Sequence, residues 1–530
     1  MQLSARLFLL LTATLLVGAL YGYVRFVNAQ AFERRELPVV YAQFLLESAT
    51  LTGGKVIIES GSNSKHAIVP DILADYFEAP VITVAQNAGY PLLPKLYNLL
   101  HHVEAGDVIV LPLEWNLYAD DAVLSTDFLA AISRPESSIT HYYDALPPWE
   151  SGRFLLTQYP LQEAVSSIRA MTDPLEFARE NLATASGFQT RLWSDGRWAW
   201  GNTESRDNNA NVAPAVGRLS CNDYVFASQQ RSNFRISSEF RRALSALDRL
   251  REKGAQIFFT WPAVVDSPDS PCYRDAAFMA TVQAYAGDIR AMLQAAGYPM
   301  LGDYRDSHFP ARCFVDTYYH ITSACARERT RALLANLRAA GAEPIRARTG
   351  PRAFLRAAER RLDAMRPALL APLEPTLPAV SRVTAQTLET DVLLSGGWAM
   401  PEERGTWSLG WRSTLVLRLP PELASAERLR LRIRGDYFNG VEKTGVQIGS
   451  TDRGRHVLQN KVLWISQAQL DGDLLRLQLT HEDVRSPYEL GSSDDQRKLK
   501  FMLRELVVKP APKRGQGRKR RKGEVDVEET

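Results

Sequence analysis

The sequence predicts an α/β domain, built on a parallel sheet and interrupted by a long insertion, followed by an all-β sandwich domain. Three observations predict this organisation. Short apolar runs alternate with helical patterns in the first part of the chain, a proline-rich stretch follows, and apolar and basic residues then alternate up to the C-terminal tail. The length of 530 residues suits two or three domains.

Four apolar, β-branched runs predict the strands of the parallel sheet. They are Lys55–Glu59, Pro80–Ala85, Asp107–Leu113 and Ala255–Thr260. Helical patterns, such as Leu92–Val103 and Phe240–Lys253, lie between them. Strands that alternate with helices predict parallel pairing, because each crossover returns the chain to the same end of the sheet. We assign residues 30–366 to this domain.

The segment 119–233 departs from this alternation and is rich in aromatic and polar residues, among them Trp193, Trp198 and Trp200. We interpret it as an insertion after the third strand. Long insertions at such a sheet edge often form lids or substrate-binding regions. A cap that only covers the sheet edge explains the composition equally well, and both interpretations stay open.

The C-terminal part has a different pattern. Four prolines between Pro367 and Pro378 indicate a linker, which we assign to 367–383. Three later runs alternate apolar with basic or polar residues: Ser413–Leu419, Arg428–Arg434 and Leu474–Leu479. Strict alternation is expected of antiparallel strands with one buried and one solvated face. A β-sandwich is therefore predicted over 384–508.

The formal net charge of +3 comes largely from the segment 509–530, which has eight Lys or Arg and four Asp or Glu. The rest is close to neutral, so a nucleic-acid partner is not expected. The segment is predicted to be disordered. Three interpretations of it stay open: it binds anionic lipid headgroups, it binds an acidic polysaccharide, or it is only a solvated end.

An uncharged apolar stretch, Leu7–Val24, lies between Arg6 and Arg25. Eighteen helical residues rise about 27 Å, close to the thickness of the hydrocarbon layer. Residues 1–29 are therefore predicted to hold a single-pass anchor in the inner membrane, with the body in the periplasm. A cleaved signal peptide is the alternative, because Val27-Asn28-Ala29 resembles a cleavage site.

Cysteine usage says little about function. The four cysteines are Cys221, Cys272, Cys313 and Cys325. They are too few for a disulfide framework, and no CxxC pair or Cys/His cluster indicates zinc. An oxidising compartment would permit one or two disulfides, whose pairing the sequence does not give, and four unpaired and mostly buried thiols are the alternative. No metal or organic cofactor is expected.

A serine-rich block, Ser60-Gly61-Ser62-Asn63-Ser64, follows the first predicted strand and precedes a helix. A serine there lies at the carboxyl edge of a parallel sheet, where ligands bind in this architecture. The helix N-terminus offers N–H groups to a developing oxyanion. Ser62 is the candidate nucleophile, and Ser60 and Ser64 compete with it. An ordinary turn is the alternative interpretation.

His320 is the candidate base for this serine, because histidine accepts a proton near neutral pH. Asp316 lies four residues earlier and would fix the tautomer of the ring. His66, four residues after Ser62, is a further candidate for the same site, with a solvated helix position as the alternative.

Two more segments follow strands at the same predicted edge. Asn87 and Gly89 come after the second strand, where an amide and a closely approaching backbone suit an oxyanion hole. A simple strand-to-helix turn is the alternative. Glu114 and Asn116 follow the third strand and are predicted to line the edge of the site, without an assigned role.

Together these segments resemble the SGNH/GDSL hydrolase superfamily over roughly 55–337, with the insertion excluded. The resemblance implies Ser62 as nucleophile, Gly89 and Asn87 as the oxyanion hole, and His320 with Asp316 as base and orienter. Three features differ from the family pattern. Gly61 stands where the family has Asp, the Asp–His spacing is one residue longer, and Glu114 or Asn116 holds the place of the third-block Asn.

An N-terminal anchor followed by such a domain resembles the exported acyl-transfer proteins of bacterial envelopes, of the alginate O-acetyltransferase and D-alanyl transfer types. The resemblance implies an O-acyltransferase or esterase that acts on a cell-surface polysaccharide. Whether a separate membrane protein supplies the acyl donor stays open. Trp398, Trp407 and Trp411 are candidate glycan-stacking residues, with a core position as the alternative for each. The other hypothesis is an inactive glycan-binding or scaffold protein.

Overall fold

The structure is a computed structural model that describes residues 53–85, 92–119, 235–266, 275–314, 319–351, 374–388, 390–399, 401–487 and 499–512, with a few further positions. The predicted site residues and cysteines outside these ranges are Asn87, Gly89, Cys221, Cys272 and Asp316. Almost all of the predicted insertion lies outside them too. Of the predicted anchor, the structure describes only Phe8 and residues 11–19, and no helix of the described residues is long and apolar enough to cross a bilayer. The anchor stays a prediction.

The chain divides into two compact units. The first comprises Met1–Thr376 and Arg485–Lys498, and the second comprises Leu377–Val484 and Leu499–Thr530. The first contains a parallel sheet and the second contains antiparallel sheets, so the predicted change of architecture is present.

The first unit alternates strands and helices. Its strands are β1 (Val56–Ile58), β2 (Val81–Thr83), β3 (Val108–Leu111), β4 (Gln256–Thr260), β5 (Val264–Asp266), β6 (Met300–Leu301) and β7 (His308–Pro310). Its helices are α1 (Ser62–Ala67), α2 (Pro70–Phe77), α3 (Leu92–His102), α4 (Trp115–Ala119), α5 (Ser238–Glu252), α6 (Ala276–Ala295) and α7 (Ser323–Ala339). The four predicted strands correspond to β1–β4.

The main sheet has the strand order β2-β1-β3-β4-β6, and every described pair in it is parallel. Alternate side chains of each strand enter different cores. Val56 and Ile58 pack with residues of α2 and α7, whereas Ile57 packs with residues of α3, α5 and α6. Because both faces are covered, the strands are apolar throughout, which explains the continuous apolar runs in the sequence.

The second unit consists of two antiparallel sheets that share one core. Its strands are β8 (Arg382–Thr384), β9 (Val392–Gly396), β10 (Thr406–Leu409), β11 (Arg412–Arg418), β12 (Arg428–Tyr437), β13 (Thr444–Ile448), β14 (Thr451–His456), β15 (Asn460–Ser466), β16 (Leu474–Thr480) and β17 (Leu499–Pro510), with one short helix, α8 (Pro421–Ala424). One sheet has the order β10-β17-β12-β15, with β8 also paired to β17, and the other has the order β14-β13-β16-β11-β9.

The alternating runs of the sequence form strands of these sheets. In β12, Leu429, Leu431 and Ile433 are buried and join the core shared with the other sheet. The arginines between them point to the opposite face. Two boundaries differ from the predicted ones: β8 begins at Arg382, within the predicted linker, and β17 continues to Pro510, beyond the predicted end of the sandwich. Three-residue β8 is too short to produce a recognisable alternation.

Candidate active site

Ser62 and His320 lie next to each other although 258 residues separate them in the chain. The His320 Nε2 atom is 2.8 Å from the Ser62 Oγ atom. Ser62 is the first residue of α1, which begins shortly after β1 ends, so it lies at the carboxyl edge of the parallel sheet. A hydroxyl at this distance from an imidazole nitrogen can transfer its proton to the ring.

The backbone on both sides of Ser62 is fixed by the Glu114 carboxylate. Glu114 Oε2 accepts a hydrogen bond from the Gly61 N–H at 2.8 Å, and Oε1 accepts one from the Asn63 N–H at 2.9 Å. Glu114 is fully buried and comes just after β3, the neighbour of β1 in the sheet. Charge-assisted bonds of this kind are stronger than neutral ones, so Glu114 holds the turn that presents the Ser62 hydroxyl.

The Asn63 side chain connects this turn to the histidine segment. Its Nδ2 donates to the carbonyl oxygen of Tyr319, the residue before His320, at 3.1 Å. Its Oδ1 accepts from the Arg329 guanidinium at 3.0 Å. Asn63 and Arg329 are both buried, and burial lowers the pKa of Arg329 to about 9. Serine and histidine are therefore positioned by one buried polar network.

Lys95 and Glu59 form a buried pair next to the serine block. The Lys95 Nζ atom donates to the Ser60 carbonyl oxygen at 2.6 Å and lies 3.8 Å from Glu59 Oε1. Burial raises the pKa of Glu59 to about 8, despite the opposing attraction of Lys95, and burial also lowers the pKa of Lys95. Burial thus favours the neutral form of both groups, and the lysine serves as a donor that anchors the end of β1.

The two serines that competed with Ser62 in the sequence have other partners. Ser60 Oγ and Ser64 Oγ form a hydrogen bond with each other, and both side chains are fully buried. Ser62 is partly exposed and is the serine of this block that contacts His320. Geometry and access therefore favour Ser62 over its neighbours.

A disulfide between Cys313 and Cys325 closes the segment that carries His320. Within this loop, Phe314 and Ile321 form an antiparallel β-bridge, which holds the two sides of the loop together. The sequence separation of the two cysteines is 12, and a cross-link of this size is associated with roughly 3 kcal/mol of stabilisation. The disulfide restricts the positions that the His320 backbone can adopt.

His66 also lies at the site. Its ring centroid is 4.1 Å from that of His320, with an interplanar angle of 32°. It is four residues after Ser62 in α1, so both side chains lie on the same face of the helix. His66 therefore packs against the candidate base and limits the rotation of its ring.

The other predicted site residues are placed as follows. Asp316, Asn87 and Gly89 lie outside the described residues, so their predicted roles stay predictions. Asn116 is partly buried in α4, two residues beyond the Glu114 that clamps the serine turn. Within the described ranges, no group of three or more His, Cys, Asp or Glu side chains is arranged to hold a metal ion.

The three tryptophans predicted to stack on a glycan have different environments. Trp398 is fully buried, and its Nε1 donates to the Thr414 carbonyl oxygen, so this tryptophan is a core residue and presents no face to a ligand. Trp407 is partly buried and packs edge-on against Phe438. Trp411 is partly buried as well. Burial of Trp398 corrects its predicted role, because stacking requires an exposed ring.

Sequence patterns did not identify the residues that position the pair, namely Asn63, Lys95 and Arg329. A weak signal existed for Lys95, a charged residue within an amphipathic helical pattern where an apolar side chain would be expected. Arg329 gave no comparable signal, because α7 is rich in arginine and the bond to Asn63 spans 266 residues. Contacts between distant segments are invisible to local patterns.

Comparisons with known proteins do not identify a family. No family model and no curated protein matches the chain. Among solved structures, the secreted serine protease VesC from Vibrio cholerae is 16% identical, over 23% of this chain and 24% of that chain, with a TM-score of 0.15. The capsular polysaccharide assembling protein CapF from Staphylococcus aureus is 9% identical, over 87% of this chain and 97% of that chain, with a TM-score of 0.11. Both scores are too low to relate the folds, and neither likeness carries an argument about function.

Proposed function

We propose that the chain is an exported serine O-acyltransferase or esterase that modifies acyl groups on a cell-surface polysaccharide. The observation that carries the proposal is the 2.8 Å contact between Ser62 Oγ and His320 Nε2 at the carboxyl edge of a parallel sheet. The buried network that holds both residues supports it, because preorganised groups stabilise a transition state without further rearrangement.

In the proposed reaction, Ser62 Oγ attacks the carbonyl carbon of an acyl donor while its proton passes to His320 Nε2. The tetrahedral intermediate collapses when His320 returns the proton to the leaving group, which leaves an acyl-Ser62 ester. A sugar hydroxyl, or water in an esterase, then attacks this ester. His320 accepts the proton of that acceptor and returns it to Ser62, so the enzyme is regenerated.

The remaining roles follow the resemblance to SGNH hydrolases and belong to the proposal. Asp316 would hold the Nδ1–H of His320, which keeps Nε2 free to accept a proton. The N–H groups of Ser62 and Gly89, with the Asn87 amide, would bind the oxyanion. The polysaccharide acceptor and the exported location rest on the predicted anchor and on the two-unit organisation.

Hydrolysis of p-nitrophenyl acetate by the purified chain tests this function. We expect measurable turnover that falls at least about 10³-fold in both Ser62→Ala and His320→Ala, because each partner of the pair is required for nucleophilic attack. Ser425→Ala, an exposed serine directly after α8 in the second unit, is the matched control and should retain activity.

Folded protein without turnover, or turnover unchanged in Ser62→Ala, would reject the catalytic proposal. Circular dichroism of each variant establishes that it is folded. The alternative of an inactive glycan-binding or scaffold protein would then lead.

A further inference from the structure

The outer face of one sheet in the second unit has a row of basic side chains. Its basic members are Arg382, Arg428, Arg430, Arg432, Arg434 and Lys509. Four of them alternate along β12, so neighbours in the row are about 7 Å apart and the row extends about 20 Å. The intervening side chains are buried, which fixes the direction of the arginines.

The pairing of the strands brings these charges together. Arg430 lies directly opposite Lys509 of β17 and, on its other side, opposite Trp464 of β15. Like charges that face each other across a sheet destabilise it. On the outward face of these strands, the Glu505 carboxylate is the acidic group that partly neutralises the basic row. Asp436 instead forms an ion pair with Arg504.

Glu505 demonstrates how this face receives a carboxylate. Its Oε1 accepts from Arg382 Nε at 2.8 Å, and its Oε2 lies 3.2 Å from an Arg432 nitrogen and 3.4 Å from an Arg434 nitrogen. The three guanidinium groups keep much of their surface exposed, with side-chain exposures of 66%, 38% and 57% respectively. One carboxylate leaves most of their donors available to a ligand.

An aromatic side chain lies beside the row. Trp464 is 39% exposed, which makes it one of the few large hydrophobic side chains of the described residues that face solvent. The Arg428 guanidinium lies 4.8 Å from the centre of its ring. An exposed ring next to guanidinium groups combines stacking on a sugar with recognition of an anionic substituent.

We propose that this arginine-lined face binds an anionic polysaccharide, one that carries carboxylate groups along its length. The proposal rests on the proposed function for its choice of a polysaccharide, and it adds that the polymer is acidic. Charge complementarity is the main argument, since the guanidinium fork matches a carboxylate in two-point geometry. An open sheet face with regularly spaced cations suits an extended, repeating polyanion, and the vesicle arm of the test distinguishes such a polymer from an anionic bilayer surface.

The test measures binding of the full-length chain to polygalacturonate, with dextran as the neutral polymer and vesicles of anionic phospholipid as the other polyanionic surface. We expect binding to polygalacturonate that weakens with added salt and falls at least about fivefold in Arg430→Gln/Lys509→Gln, which removes two charges without touching the Glu505 cluster. Trp464→Ala should also weaken binding.

The matched control is Arg476→Gln, which removes one arginine from β16 in the other sheet, where it pairs with Asp471. Its affinity for polygalacturonate should be unchanged. Every measurement is repeated in a chain lacking residues 513–530, because the basic C-terminal segment is a separate cationic element.

Four outcomes would overturn the proposal. They are no binding to polygalacturonate, equal binding to dextran, binding to vesicles alone, and polygalacturonate binding that Arg430→Gln/Lys509→Gln leaves unchanged. The assays are also carried out with Ser62→Ala, whose affinity should equal that of the wild type. Failure of catalysis and failure of this binding surface are therefore observed separately.

Discussion

Charged residues are placed in opposite ways around the candidate site of the first unit and on the outer face of β12 in the second. In the first unit, Lys55, Asp107, Glu114 and Arg329 are buried, and each forms an ion pair or a hydrogen bond with a buried partner. In the second unit, the basic side chains of β12 are largely exposed and outnumber the acidic groups around them. Buried charges that are fully paired fix geometry, whereas exposed like charges weaken the fold and remain available to a ligand.

This difference indicates separate roles for the two units. The buried network around Ser62 and His320 suits a site whose atoms must stay within narrow limits for chemistry. The arginine-lined face suits recognition of a long polymer, for which many weak contacts suffice. Four predictions test this contrast, in decreasing order of the change expected.

The largest effect is expected at the buried pair of Lys55 and Asp107. Their charged atoms are 2.6 Å apart, and both side chains are fully buried. Asp107→Ala leaves the lysine charge buried without a partner, which costs about 3–5 kcal/mol of stability. Urea unfolding at neutral pH measures the loss. A change below about 1 kcal/mol would contradict the contrast between the units.

His481 is expected to make the second unit sensitive to acid. Burial, with smaller contributions from Lys500 and Arg455, lowers its pKa from 6.5 to about 3. Between these values the unfolded chain binds a proton that the folded chain does not. The stabilisation is therefore complete above pH 6.5 and is lost as the pH falls towards 3.

The loss should be on the order of 3 kcal/mol between neutral pH and about pH 4. Urea unfolding of the wild type and of His481→Gln at both pH values measures it. The variant should lose less stability on acidification, since it lacks the titrating ring. Equal losses in the two proteins would show that His481 does not carry the pH dependence.

Glu114→Gln tests whether the carboxylate positions Ser62. A glutamine fills the same volume, but its amide has one acceptor oxygen for two N–H groups, those of Gly61 and Asn63. We expect hydrolysis of p-nitrophenyl acetate to fall about 10²-fold, as small displacements of a nucleophile do. The decrease should be in kcat and not in KM.

The control for Glu114→Gln is Glu343→Gln, an exposed glutamate in the same unit, which should keep full activity. If Glu114 were only structural, the folded fraction would fall while the kcat per folded molecule stayed constant. Titration of active sites with a fluorophosphonate separates these two results.

The smallest effect is expected at Arg382, which has the most exposed side chain of the three arginines that contact Glu505. Arg382 pairs with Glu505, but its side chain is 66% exposed. Exposed ion pairs contribute less than about 1 kcal/mol, so Arg382→Gln should change the free energy of unfolding by no more than this. A loss comparable with that of Asp107→Ala would remove the distinction between the two units.

Much of the fold could be predicted from local patterns. The runs Lys55–Glu59 and Arg428–Arg434 have opposite patterns, one apolar throughout and one alternating, and they form a parallel and an antiparallel strand respectively. The two-residue strand β6 was missed because so short a strand has no period. The sequence left two alternatives for Trp398, a core position or a glycan-stacking one, because composition does not distinguish a core tryptophan from an exposed one, and the structure places it in the core.

The candidate site could also be predicted in part. Ser62 and His320 could be paired because the sequence shows a serine-rich turn after a strand and a histidine with an acid upstream, the residue types of a nucleophile and its base. Their positioning by Asn63 and Arg329 could not be predicted, since side-chain contacts between distant segments depend on packing. The disulfide of Cys313 and Cys325 required the same spatial information.

Labelling by a fluorophosphonate probe, with the adduct located by peptide mass spectrometry, would identify the nucleophilic serine. We expect a single adduct on Ser62 that forms in the wild type and in Ser64→Ala, forms slowly in His320→Ala, and is absent in Ser62→Ala. An adduct on another serine of the block, or folded wild-type protein that does not react, would contradict the assignment of Ser62 as the nucleophile.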